Sequence, residues 1–361
     1  MARPVGADWR ARAVAAAISR GDGVRRVALT DLRGELGSLT PPSRAQPPVT
    51  SADPKDALLQ KEATFWDLQE EQIDRLYARP HDWRFVPKLA EIIIRPRVRT
   101  LLRLIDAHRD RIGSLIDIGC GNGWLCHAMA KRGIRSIGID LSPKKIVTAQ
   151  RMAAEQGVAH LCEFVAADVM KWQPAEKVDL LTSHGSLHHF PDFHGALTHM
   201  VANHLKPDGY MLFVEPNHEG MPPDVAALLM RCAKSWWGKR VFDFAFYYEV
   251  TGKTSLDGPA RDVDEMNVRH ESPAGKEFFG EHIHLDDYFR EHFEVLEREF
   301  YHYFSSHGTN AFYVFMKSRL LRGLWRALLP WLVRRDTRLL RDPRCQQYAE
   351  DGLWFLQRKA T

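Results

Sequence analysis

Cysteine is scarce in this 361-residue chain: the five are Cys120, Cys126, Cys162, Cys232 and Cys345, with no C-x-x-C pair and no cluster at zinc-ligand spacing. That distribution disfavours a disulfide framework and a structural metal, and it fits a reducing cytoplasm. Also missing is any apolar run near the roughly 18 residues of a membrane-spanning helix, and the N-terminus lacks the apolar stretch of a secretory leader. The expected protein is cytoplasmic, and either soluble or peripheral to a membrane. Charge of one sign is lacking too: 50 Lys and Arg stand against 46 Asp and Glu, and a net +4 gives no whole-molecule case for nucleic acid. Lysine is absent from residues 1–54, which hold eight Arg among Ala, Pro and Ser and close on LTPPSRAQPPVTSADP. This segment is expected to be mostly disordered. Residues 8–20 could form an Arg-rich helix of the targeting-peptide type, but Asp22, Asp31 and Glu35 follow closely. A plain tail or an overlong start is preferred.

What is present is enough apolar sequence, 45% of residues, for a sizeable core with extensions. Residues 54–111 repeat apolar positions at three and four spacing around a proline break, which predicts an N-terminal helical cap. Short apolar runs then alternate with helical patterns, the mark of an α/β parallel sheet. Strands are expected at 114–118, 136–140, 161–166, 178–183 and 210–215, a further long strand ending near 304, and a last one at 353–357. A competing register puts the last strand at 311–318; the FLQRK ending favours the first. No internal repeat is visible.

Residues 115–142 read LIDIGCGNGWLCHAMAKRGIRSIGIDLS. Gly119, Gly121 and Gly123 leave a backbone without Cβ atoms between a strand and a helix, so a flat or bulky ligand can approach it. One candidate ligand is a nicotinamide dinucleotide, but the sixth position of its G-x-G-x-x-G pattern needs a small residue and here is Trp124. The stretch instead resembles motif I of the class I S-adenosylmethionine-dependent methyltransferases, with Asp117 two residues before the first glycine. Four further stretches resemble that family in order: Asp140 closing the next strand, FVAADVM around Asp168, DLLTSHGSLHHFPD from Asp179, and LKPDGYMLFVEP from Leu205. The last two are similar to the ubiquinone- and menaquinone-type branch.

The resemblance implies a Rossmann-like sheet of seven mostly parallel strands with helices on both faces, and S-adenosylmethionine as cofactor. It implies a cofactor-binding set of Asp117, Gly119, Cys120, Gly121, Gly123, Asp140, Leu141, Asp168, Val169 and Ser183. Within that set Asp140 would hold the ribose hydroxyls, Asp168 would lie near the adenine amino group, and Val169 would pack on its ring. Methyl transfer is an in-line displacement, so the protein's task is alignment and exclusion of water. An oxygen acceptor also needs its proton removed. Candidate bases on the strand-end loops are His184, His188 and His189 after the fourth strand, and Glu215, His218 and Glu219 after the fifth. EHIH adds His282 and His284 on the substrate side. Metal-dependent relatives need an Asp after the fourth strand, where this chain has Ser183 and His184; no catalytic metal is expected.

Residues 217–281 exceed what the minimal fold requires and are read as a substrate-selecting lid. A second insertion spans 306–350, and its residues 317–344 hold nine Lys or Arg against two Asp among Leu, Trp and Val. That stretch has two readings: a basic apolar helical pair resting on anionic lipid, or a hairpin packed on the core or on a second copy in a homodimer. The expected activity is methyl transfer to an oxygen of a small-molecule or lipid-linked metabolite. Its alternatives are a C- or N-methyltransferase and a silent fold that only binds. The fourth-strand loop lacks the Asn-Pro-Pro-Tyr type signature, and no basic aromatic stripe lies beside it, so nucleic acid is not an expected partner.

Overall fold

The computed structural model describes residues 54–217, 222–258, 269, 272–278 and 285–359; the N-terminal segment read as a tail lies outside them. Seven strands form one sheet: β1 (Ser114–Ile118), β2 (Arg135–Asp140), β3 (Cys162–Ala166), β4 (Val178–His184), β5 (Leu205–Pro216), β6 (Phe293–Tyr301) and β7 (Asp351–Arg358). The order is β3-β2-β1-β4-β5-β7-β6. The first five strands are mutually parallel, and β7 inserts antiparallel between β5 and β6.

Period-two alternation along buried strands divides the core. Leu115, Leu180, Leu212 and Phe355 face one layer, in which the helices Pro87–Ala107, Trp124–Ala130 and Pro143–Glu155 bury Ile105, Met129 and Ile146. Ile116, Leu181, Phe213 and Trp354 face the other, against Leu197 of Phe193–Asn203 and Phe289 of Leu285–His292. Sheets covered on both faces need such continuous apolar runs.

One strand starts well before its expected first residue. β5 begins at Leu205, because the Lys206–Gly209 turn stays extended and its pairing with β4 slips between Val178 and Leu180. The competing register for the last strand is not adopted: Asn310–Val314 is a π-helix, Met316 makes one isolated bridge to Phe242, and β7 stands near the end of the chain as preferred. The basic stretch forms one 21-residue helix, Arg319–Leu339, followed by the short turn of helix Pro343–Gln346. It packs on the helix Pro87–Ala107 through Leu329 and Val333, which meet Trp83, Leu89 and Ile93.

Candidate functional site

The glycine turn stands at the carboxyl end of β1 with all three glycines left-handed, at φ of 64°, 53° and 71°. Added Cβ atoms separate their duties. At Gly119 one would lie 2.4 Å from Ser186 Cβ, and at Gly123 2.6 Å from the Phe164 ring. At Gly121 it would meet nothing within 4 Å. The outer glycines let the turn pack, while the middle one leaves open backbone. Asp140, at the end of β2, fixes that middle peptide: its Oδ2 accepts the Gly121 N–H at 2.8 Å and its Oδ1 the Ser142 N–H at 2.9 Å. Beside it, Asn122 Oδ1 is buried with no hydrogen-bond partner.

This open backbone faces a cavity of 1020 Å³. Gly119, Cys120, Gly121, Asp140, Leu141, Asp168 and Val169 line one side, and His184, His188 and His189 line another. Asp168 is held by its own turn, where Oδ1 accepts the Met170 N–H at 2.9 Å. Three of the expected residues stand behind the wall rather than in it. Gly123 packs on Phe164. Asp117 is 2% exposed and accepts from Thr182 Oγ1 at 2.9 Å, and burial pushes its carboxyl up to about 7. Ser183 donates to Glu215 at 2.5 Å.

Glu215 organises the loop after β4. Its fully buried Oε1 accepts from Ser183 Oγ and from the N–H groups of Ser186 and Leu187, both at 3.1 Å, and its Oε2 lies 2.9 Å from His188 Nδ1. Burial alone would push this carboxyl up; the bond and charge of His188, with Ser183 and Leu187, hold it below the usual range. His189 takes a different partner, Glu62 of the N-terminal helix Pro54–Glu71, at 3.1 Å. Glu62 is 1% exposed and also accepts from Trp66 Nε1 at 2.6 Å and the Ala274 N–H at 2.9 Å. Burial and the neighbouring His188 push the His189 ring down. His184 sits edge-on to Trp124 and is pushed to about 4 by burial and Arg97. It is a neutral ring whose Nε2 makes no hydrogen bond.

The N-terminal helix closes this side of the cavity. Asp67 accepts from Ser142 Oγ and from the Lys144 N–H at 3.2 Å, Glu70 accepts from Thr148 at 2.9 Å, and the Lys145 ammonium lies 4.0 Å above the Trp66 ring. Across the cavity, Arg97 pairs with Asp351, and Asp82 links the Arg84 guanidinium at 2.9 Å to Asn310 at 3.0 Å. Arg84 is 61% exposed and stands among the residues that line the cavity. Glu350 Oε2 is buried without a hydrogen bond, 3.7 Å from His307 Nε2. His218, Glu219, His282 and His284 lie outside the described residues.

A family model described as a methyltransferase domain matches residues 110–245. The chain carries a class I methyltransferase domain. Its strands β1 to β5 and the turn around Gly121 fall inside the matched span, and S-adenosylmethionine is the cofactor of this class. The residues present fit it, since the cradle a Cβ at Gly121 would fill opens onto the cavity beneath a fixed carboxylate. Among curated relatives, the ubiquinone biosynthesis O-methyltransferase of Paraburkholderia phytofirmans is 34% identical over 113 residues, 31% of this chain and 48% of that one. The trans-aconitate 2-methyltransferase of Escherichia coli is 31% identical over 132 residues, 34% of this chain and 48% of that one. The match spans about half the length of these relatives. A solved methyltransferase from Thiobacillus denitrificans, in complex with S-adenosylhomocysteine, is similar at 20% identity over 72% of this chain and 91% of that one, with a TM-score of 0.37.

Sequence reasoning missed the partners that come from far along the chain. Glu62 and Trp66 gave no motif, only an aromatic pair in a helical pattern, and Arg84, Arg97, Glu350 and Asp351 had no local signal.

Proposed function

We propose that the chain transfers a methyl group from S-adenosylmethionine to an oxygen of a small-molecule or lipid-linked acceptor, with His188 as the base and Glu215 as the residue that positions it. The observation that carries this is the 2.9 Å contact of Glu215 Oε2 with His188 Nδ1, in the wall of the cavity that holds the open Gly121 backbone. With Nδ1 facing a carboxylate, the ring carries its proton there and Nε2 is the basic nitrogen. The ionised, buried Glu215 then stabilises the imidazolium that forms as the acceptor hydroxyl gives up its proton.

When bound, the cofactor supplies an electrophilic methyl on a sulfonium, and the chain supplies the rest. Asp140 and the glycine backbone hold the nucleoside end, Asp168 and Val169 border the base, and Trp66 on the N-terminal helix keeps water from the reacting atoms. Residues 54–111 act as a cap and 217–281 as a lid that selects the acceptor, with 306–350 as a second insertion. Oxygen is supported by a relative named as an O-methyltransferase. A silent binding protein is the second reading, favoured by the three further hydrogen bonds through which Glu215 simply shapes the loop.

The test is incubation of the purified chain with methyl-labelled cofactor and a panel of phenolic, enolic and carboxylic acceptors. Label transfer that is lost in His188→Ala, with S-adenosylhomocysteine affinity kept, is the expected result. Cofactor binding without transfer to any acceptor establishes the silent reading.

A further inference from the structure

The helix Arg319–Leu339 has two faces of different kind. Inward, Leu329, Leu332 and Val333 are buried, and Trp325 donates to Thr309 Oγ1 at 3.0 Å and stacks on Phe312. Outward, Leu320, Leu324, Leu328 and Trp331 are 73%, 59%, 45% and 53% exposed. Their spacing of four, four and three residues places them on one stripe.

The charge around that stripe is cationic. Residues 317–344 contain two acids, Asp336 and Asp342, against nine Lys or Arg, and both acids are engaged internally. Asp336 is 1% exposed and accepts the N–H groups of Tyr303, Phe304 and Ser305 at 3.1, 2.9 and 2.7 Å; Asp342 pairs with Arg344 at 2.8 Å. Among the described residues, Lys317, Arg319, Arg326, Arg334, Arg335 and Arg338 enter no ion pair. A second exposed apolar group adjoins the foot of the helix, where Lys317 N–H donates to Val241 at 2.8 Å. There Trp236 is 71% exposed, with the Arg240 guanidinium 3.9 Å from its ring centroid.

We propose that this face docks on an anionic lipid bilayer, with the helix in the plane of the membrane and the Leu320, Leu324, Leu328 and Trp331 stripe at the boundary between headgroups and acyl chains. Surface attraction from anionic headgroups adds to burial of the stripe for each unpaired Lys or Arg. No described helix is long and apolar enough to cross a membrane, so the helix lies on the surface. A second copy of the chain is a poor occupant because it would bring two cationic faces together. The geometry also gives docking a consequence: Asp336 and Trp325 tie the helix to residues 303–315, which contribute His307, Asn310 and Phe315 to the cavity. The docked surface therefore stands one element away from the cavity wall. This proposal rests on exposure and charge, and it does not depend on the transferase reading.

The experiment is co-sedimentation of the full chain with vesicles of phosphatidylcholine, alone or with about one-third phosphatidylglycerol, at low and high salt. Salt-sensitive binding to the anionic vesicles is expected. It should fall about tenfold or more in Leu324→Glu with Leu328→Glu, and likewise in Arg334→Glu with Arg335→Glu, as lost burial and reversed charge each remove one part of the attraction. Both pairs are exposed, so melting temperature and S-adenosylhomocysteine affinity should match the parent; a pair that lowers the melting temperature is replaced by Trp331→Ala. Absence of wild-type binding to anionic vesicles overturns the proposal, as does binding that no variant weakens. A parent dimer that the leucine pair converts to monomer, without vesicle binding, assigns the face to a second copy.

Discussion

Glu215 and His188 are partners across two strand ends: the carboxylate at the end of β5 holds the imidazole of the loop after β4 at 2.9 Å. If the pair acts on the acceptor proton, His188→Ala should lower kcat by about 10²–10⁴ while leaving S-adenosylhomocysteine affinity unchanged. Glu215→Gln is the sharper test. It turns an amide N–H toward Nδ1, moves the ring proton to Nε2 and removes the base without removing the ring. A comparable fall in kcat with KM little changed is expected. Unchanged kcat in Glu215→Gln reduces the carboxylate to a loop brace.

Asp140→Ala removes the acceptor for both the Gly121 and Ser142 N–H groups. Hydrogen bonds to a charged group are each worth about 1.5–3 kcal/mol. Titration calorimetry with S-adenosylhomocysteine should therefore show affinity at least about tenfold weaker, with Asp140→Asn closer to the parent. Equal affinity in Asp140→Ala would move the cofactor elsewhere.

Gly121 and Gly123 should separate binding from stability. Ala at either position carries a left-handed cost of about 1–2 kcal/mol. At position 123 the new methyl also meets the Phe164 ring at 2.6 Å and Ala149 Cβ at 3.1 Å, so overpacking adds about 1–3 kcal/mol and thermal melting should fall by several degrees more. At position 121 the methyl enters open space. Gly121→Ala should lose only the left-handed cost in melting yet bind S-adenosylhomocysteine about tenfold more weakly or worse, because the methyl fills the ligand's approach. The reverse pattern would place the ligand on the far side of the turn.

The contrast between these glycines also shows what a sequence reveals. The turn and Asp140 are legible because about twenty residues of strand–turn–helix–strand carry them, and the alternation of Leu115 with Ile116, and of Phe213 with Leu212, announces a sheet buried on both faces. Residues 311–318, the competing run, stay off the sheet for the converse reason. Their apolar run is satisfied by rings, Phe312 on Trp325 and Phe315 on Tyr247, so it packs without joining the sheet. The walls of the cavity depend on pairs far apart in the chain, such as Glu62 with His189 and Arg97 with Asp351, and no local spacing encodes a meeting set by the order of the strands.

Glu350 offers a test of the polar wall by pH. Burial and the neighbouring Asp351 push its carboxyl up to about 8. The fold therefore favours the protonated acid, whereas the unfolded chain ionises near the ordinary value of 4.5. Between those values the folded state binds the extra proton, so its stability contribution is complete in acid and is lost as pH rises toward 8. Glu350→Gln keeps a neutral side chain at every pH and has no such loss. Scanning calorimetry of both proteins should then show the variant gaining on the parent from about pH 5.5 to about pH 8.5, through a falling parent melting temperature rather than a rising variant one. A gap that stays constant across this range means that Glu350 is ionised in the fold at neutral pH, and that His307, 3.7 Å away, stands beside a charge rather than an acid.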